Sequence, residues 1–551
     1  MNVESSNGGV GRLGHDLLWT IFMKNAQLDV FSHNRLKIAR YSSQVCRQWR
    51  ITLLQSSSIW GRLMNLDELR RTSEQWKEAI ASRTGDASIW IHGSIGVEMR
   101  PYFTSFLDAK WHQVQILDVS DYDYNPQRSR TFAFLMKKAP NLKILKISIS
   151  EDVRAPEKGW LKLTTRFFDN HAPVLEVLVL HGIVCKLTPN TSWLSNLRTL
   201  SLDHNHSTST IFALLNALPL LEHLRIPYLR IEESVYAQEE EPELPMINLP
   251  HLTSLWLNGS RFFDLLPFLE RITPSKGCGL YIGPPELRTE ASEEQRQKML
   301  EATKQHMIAY FQRYPPTTLS CVTHGRHIRL QDYRDSDASP VMFPSACFSV
   351  WHILEPNDPS SIEGWTSSNW ISGIQKLELD IRKVSTPVYT PSLLTFFSAM
   401  ESVTTLLTNE DTLRFLLGHR ESFKSPVFPK LKTLTLLELN CYQYPSVIRG
   451  SAYVQFLIQR AKTLAPIQVL DLSHLPTSEL HDMEFLATED FSGMIVRWRL
   501  DLRDGKSLIR EHSCGTSPPS DLHFKKVWNE HLRSLSNANR VRRTLRPMFN
   551  S

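Results

Sequence analysis

The pattern Leu-x-x-Leu-x-Leu, with Ile or Val as substitutes, returns along most of this chain and limits what it can fold into. Copies begin at Val114, Leu142, Leu175, Leu197, Leu221, Leu252, Ile374, Leu431 and Ile467. Most neighbouring copies start roughly 22 to 36 residues apart, a spacing that belongs to stacked repeats rather than to one closed core. The gaps from 252 to 374 and from 374 to 431 are longer, and must hold insertions or copies too degenerate to read. Leu-x-Leu at period two makes a short strand with one buried face. Helix-like runs lie between the strands at 132–139, 210–217, 262–272, 393–400 and 453–464. One strand and one helix cannot hide their own apolar faces, whereas stacked neighbours bury a continuous core. Pro140, Pro173, Pro219 and Pro250, each just ahead of a copy, stop the helix that precedes.

Strand alternation sends the residue between the two apolar positions to the other face. Those residues are Asp118, Lys146, Val179, Ser201, Arg225, Trp256, Glu378, Thr435 and Asp471, with His223 and Ser254 two places earlier. A solvated strand face has no need of a tryptophan, and Trp and Arg dominate protein interfaces. Lys146, His223, Arg225 and Trp256 are therefore expected to form the centre of a binding site for another protein. The competing reading packs Trp256 beneath the glutamate-rich stretch 232–248. The body as a whole resembles a degenerate leucine-rich-repeat solenoid. It departs from that family in its asparagine ladder, which is kept only at Asn205. A non-solenoid α/β domain whose strands carry Leu-x-Leu is the alternative.

The first sixty residues follow a different rule. Leu13, Leu17, Leu18, Ile21 and Phe22 share one face at a period of 3.6, as in a short amphipathic helix. Leu36, Ala39, Val45, Cys46, Trp49, Leu53 and Leu54 continue as two more short helices. So small a unit buries little by itself and tends to need a partner. Val45-Cys46-Arg47-Gln48-Trp49-Arg50 and the stretch from Ser56 to Trp60 resemble an F-box of the type common in fungi, although Leu13 is followed by Gly14 rather than by Pro. Any small three-helix cap is the plainer reading.

Together these give an expected fold: α/β, a short three-helix F-box-like module followed by an irregular leucine-rich-repeat solenoid. The expected divisions are a tail at 1–11, the module at 12–63, a connecting helix at 64–86, the solenoid at 87–502 with an insertion around 284–370, and a polar loop, helix and basic tail at 503–551. The resemblance implies the substrate-receptor subunit of an SCF-type cullin–RING ubiquitin ligase. It implies docking of a Skp-type adaptor through Leu13, Leu17, Leu18, Ile21, Phe22, Val45, Cys46, Trp49 and Trp60, with cullin reached through the complex and an unknown target held by the solenoid. A non-catalytic scaffold and a divergent α/β enzyme are the rival functions.

Other classes find little support. With 62 basic and 57 acidic residues the net charge is only +5, which gives no electrostatic case for nucleic acid or a membrane surface. No stretch reaches the run of apolar residues a membrane span needs, and residues 1–11 lack the apolar core of a signal peptide. A cytoplasmic or nuclear protein is expected. The seven cysteines are scattered and form no C-x-x-C pair, so neither a zinc site nor a disulfide framework is expected. Gly9-Val10-Gly11-Arg12-Leu13-Gly14 spells a dinucleotide fingerprint without the preceding strand that chemistry needs. The His204/His206 and His324/His327 pairs lack a third ligand at metal-binding spacing. No metal, cofactor or catalytic residue is assigned, and the chain is not read as an enzyme.

Overall fold

The computed structural model describes residues 13–27, 34–123, 128–149, 161–163, 167–185, 187–202, 208–229, 244–259, 262–283, 292–324, 327–332, 347–353, 365, 370–382, 390–423, 426–439, 451–463, 465–476, 479–480, 482–501 and 507–524. They belong to two compact units. The first is 1–278 with 285–291, the second 279–284 with 292–551. The expected tail 1–11, the helix at 527–535 and the basic C-terminus lie outside the described residues.

The first unit begins with helices. α1 (His15–Gln27) buries Leu18, Phe22, Met23 and Ala26, and the ring of Phe22 meets Trp49 edge-on at 5.1 Å. α2 (Arg35–Ser42) precedes α3 (Arg47–Gln55), which starts where Cys46 Sγ accepts the amide of Trp49 at 3.5 Å. α4 (Ser57–Arg62) carries Trp60 inward. Its indole donates to the Leu53 carbonyl at 2.7 Å, so a large apolar ring is buried without an orphaned N–H. The single connecting helix expected across 64–86 is instead a strand, β1 (Met64–Asn65), and two helices, α5 (Leu66–Leu69) and α6 (Glu74–Arg83). The reason is local: Asn65 accepts the amides of Asp67 and Glu68, and Ser73 accepts that of Trp76, so each side chain starts its own helix.

The sheet of this unit uses β1, β2 (Ile89–Ser94), β3 (Val114–Asp121), β4 (Ile144–Ile149), β6 (Val177–His181), β8 (Thr199–Leu202), β9 (His223–Leu229) and β11 (Ser254–Gly259), paired in that order and parallel throughout. Two further parallel pairs stand apart, β5 (Leu161–Leu163) with β7 (Ile183–Cys185) and β10 (Ile247–Asn248) with β12 (Ile272–Thr273). Ile91, Leu117, Leu145, Leu178, Leu200, Leu224 and Leu255 stand in one register row, none more than 1% exposed. Each such side chain contributes about 1.5–3 kcal/mol of transfer free energy. A backbone spine runs beside the row: the amides of Lys143, Glu176, Arg198, Glu222 and Thr253 donate in turn to the carbonyls of Gln115, Lys143, Glu176, Arg198 and Glu222 at 2.7–2.9 Å. The returns vary more than the strands. The helix expected at 132–139 is a single 3-10 turn, Ala133–Met136.

The second unit repeats the principle with interruptions. β14 (Thr318–His324), β17 (Lys376–Arg382), β18 (Thr405–Asn409), β19 (Thr433–Glu438), β20 (Val469–Asp471) and β21 (Ile495–Asp501) are parallel neighbours. Leu319, Leu377, Leu406, Leu434, Leu470 and Val496 form their fully buried register row. On the other side of β14, β15 (His327–Asp332) and β16 (Ser349–Ile353) add antiparallel, and β16 pairs in parallel with β13 (Gly279–Ile282). The strands expected near 318–322, 327–330 and 347–353 are thus present, the first as a member of the buried leucine row and the other two as an antiparallel extension of the sheet. The long helix Glu293–Arg313 precedes them, opened by a capping box of Ser292 and Gln295. Residues 503–521, expected as a loop, contain β22 (Ser507–Ser513), paired antiparallel with β21 over its whole length. Its polar composition hid it, since cross-strand partners rather than periodicity define this strand. Each unit is therefore α/β with a mostly parallel sheet.

Candidate functional site

The expected binding residues fall on two surfaces of the first unit. On the N-terminal helices, Leu17 (58% exposed), Ile21 (49%) and Val45 (63%) are open to solvent, and so is Cys46. Leu17 and Ile21 are one helical turn apart and share a face. Leu13 and Trp49 are half-buried. Leu18, Phe22 and Trp60 are buried in the unit itself, so any surface role expected of them passes to their exposed neighbours. Sequence reasoning did not count Trp19, Ile38, Tyr41, Ile51 or Leu54 as contact residues, and all five are exposed. Half of the large apolar side chains that are exposed among the described residues lie between 17 and 54. Scattered exposed apolar groups are ordinary, but this density on three short helices marks a contact surface.

The second surface is the strand face opposite the leucine row. Asn65, His92, Asp118, Lys146, Val179, Ser201, Arg225 and Trp256 stand side by side in register from β1 to β11. The Arg225 guanidinium lies 4.1 Å from the centre of the Trp256 ring, a cation–π contact that fixes both planes. One step along the strands, His223 Nδ1 is 3.4 Å from the Thr253 hydroxyl. Lys146 Nζ sits 3.6 Å from Asp118. Val179 and Ser201, however, are fully buried, which corrects the expectation of a solvated row. Alternation decides which way a side chain points, not whether water reaches it. Lys146 and Arg225 are three strands apart, about 14 Å. The four expected residues therefore form two groups, Lys146 with Asp118, and His223 with Arg225 and Trp256.

His92 was not singled out by sequence, because a lone histidine in an Ile-Trp-Ile-His run carries no spacing signal. It is 3% exposed, and neither ring nitrogen has a hydrogen-bond partner. Burial, with Arg35 and Lys146 adding positive charge, pushes its pKa down to about 3, so it stays neutral. Burial also lowers His223, opposed by Glu222, and raises Asp118, opposed by Lys146. These groups can stack, donate and accept hydrogen bonds, and hold charge.

Among the described residues no group of three or more His, Cys, Asp or Glu is placed to hold a metal ion. Burial pushes the thiols of Cys185, Cys278 and Cys321 up to about 12, far from thiolate reactivity. His324 and His327 are register partners in the β14–β15 ladder, while His204 and His206 lie outside the described residues. No described helix is long and apolar enough to cross a membrane. No protein-family model matches the chain, and no curated protein matches it.

Proposed function

We propose that the chain is the substrate receptor of an SCF-type cullin–RING ubiquitin ligase, with an F-box-like module at its N-terminus and a leucine-rich-repeat-like solenoid behind it. The observation that carries this reading is the split of the N-terminal apolar residues. Leu18, Phe22 and Trp60 already complete a core, yet Leu17, Ile21 and Val45 remain on the outside. An apolar surface left over after the core is full is a surface for something else. One of the three, Val45, opens the block that carries the F-box resemblance. In this reading a Skp-type adaptor covers that surface, and the strand face around Arg225 and Trp256 holds the target. The chain breaks no bond; it raises the effective concentration of target lysines near the charged enzyme of the complex.

The test is binding of the full-length chain to a purified Skp-type adaptor. Leu17→Asp with Ile21→Asp is expected to weaken it by at least about a hundredfold, since two apolar contacts of this size are worth on the order of 3 kcal/mol. Neither side chain belongs to the core, so the far-UV circular dichroism should stay that of the parent. Adaptor binding at parental affinity by this double variant would remove the reading.

A further inference from the structure

β22 ends the sheet of the second unit, and among the described residues it pairs with β21 alone. Its first five residues are all exposed. Leu508 and Ile509 point to opposite faces, and each is 48% exposed. They are the only adjacent pair of exposed large apolar residues among those described.

The ladder shows which backbone groups face outward. Cys514 exchanges bonds with the β21 side, its amide to Met494 and its carbonyl from Gly493, both at 2.9 Å. Antiparallel alternation then turns the peptide groups of His512, Arg510 and Leu508 toward β21, and those of Glu511, Ile509 and Ser507 away from it. The other edge of β21 agrees: the Ile495 amide donates to Gln468, and the Arg497 carbonyl accepts from Leu472. Natural edges are commonly blunted by proline, lysine, a bulge or a cover. Between Ser507 and Glu511 this one has no proline, lysine or bulge, and among the described residues no cover. Of its two charges, Glu511 is already joined to Arg497 at 2.7 Å, whereas Arg510 is exposed and, among the described residues, in no ion pair.

We propose that β22 is a docking edge for an extended segment of another protein, which adds as a further strand with an acidic side chain facing Arg510 and aliphatic side chains flanking Leu508 and Ile509. Outward peptide groups supply generic strand affinity, and the unpaired guanidinium supplies the preference for acid. This surface belongs to the second unit and does not depend on adaptor docking.

The probe is a capped peptide of alternating valine and glutamate, titrated by fluorescence anisotropy into the full-length chain, with a valine–lysine peptide as the comparison. The glutamate peptide should bind at least about tenfold more tightly. Ile509→Pro removes one outward N–H and no β21 bond, and should cost at least about tenfold in binding at an unchanged thermal midpoint. Ile509→Val keeps the N–H and should bind like the parent. Arg510→Glu should reverse the peptide preference, and it carries the test by itself if the proline variant proves unstable. Equal binding of both peptides to the parent, or parental binding by Arg510→Glu, overturns the proposal. So does a concentration-dependent dimer that Ile509→Pro dissolves, because the edge would then belong to a second copy of the chain.

Discussion

The two units share a step and differ in how consistently they use it. In each, a strand contributes a buried row residue, and a residue just ahead of it, two places earlier in all but the last step, donates its amide to the corresponding position of the step before. In the second unit that spine runs from Gln375 through Thr404, Lys432 and Gln468 to Ile495, at 2.8–2.9 Å. The first unit keeps all eight strands parallel, whereas the second flanks its parallel run with antiparallel β14–β15–β16 on one side and the β21–β22 hairpin on the other. The opposite faces differ more. The first presents His92, Asp118, Lys146, Arg225 and Trp256. The second presents the register row Tyr281, Ser349, Gln331, Ser320, Glu378, Leu407, Thr435, Asp471 and Arg497, and two residues back along β15 the Arg329 guanidinium lies 5.5 Å from the centre of the Trp351 ring. One core rule thus supports two faces of different charge, each with an arginine–tryptophan pair, because core and face residues alternate and vary independently.

The largest effect should come from the shared rows. Leu178→Ala in the first unit and Leu434→Ala in the second each truncate a fully buried side chain, and should each cost about 2–5 kcal/mol. Denaturant unfolding followed by site-specific probes in each unit should show each variant moving its own transition. A single transition shifted equally by both would break the distinction between the units.

A smaller effect separates them by pH. His92 binds a proton in the unfolded chain near pH 6.5 but in the folded one only near 3. Between those values the unfolded state holds more protons, so stability rises with pH and is lost as pH falls below about 6.5. At pH 5 the loss should be about 2 kcal/mol, confined to the first unit. His92→Leu should flatten that slope in a stability–pH series. An unchanged slope would mean that another group titrates.

The smallest effect tests the face. Trp256→Ala with Arg225→Glu dismantles the cation–π pair, and should weaken capture of a protein that co-purifies with the parent by more than roughly tenfold. Adaptor binding should be untouched. Capture at parental strength would move recognition to the second unit.

Sequence periodicity located β3, β4, β6, β8, β9, β11, β17, β19 and β20, because two large apolar residues at spacing two mark each, the second of them, Leu472, falling just past the end of β20. β18 escaped it because Thr408 takes the second apolar place, and β2 because its Ile89 and Ile91 lack a leucine ahead of them. β22 has no periodicity to read. On α1, adjacent Leu17 and Leu18 are equally apolar, and only the packing of α3 and α4 settles that Leu18 goes inward. The face residues were legible as a row, since alternation is a backbone property, but the burial of Val179 and Ser201 was not.

The amide spine has a consequence for how such a chain changes length. Arg198 donates to Glu176, and Glu176 donates to Lys143. Excising residues 176–197 would bring the Arg198 amide opposite the Lys143 carbonyl, and the same bond could re-form between new neighbours. Insertions and losses are therefore absorbed most readily in whole steps, each widening or narrowing the sheet by about 4.8 Å. By this route a lineage could lengthen or shorten the recognition face without redesigning the joints.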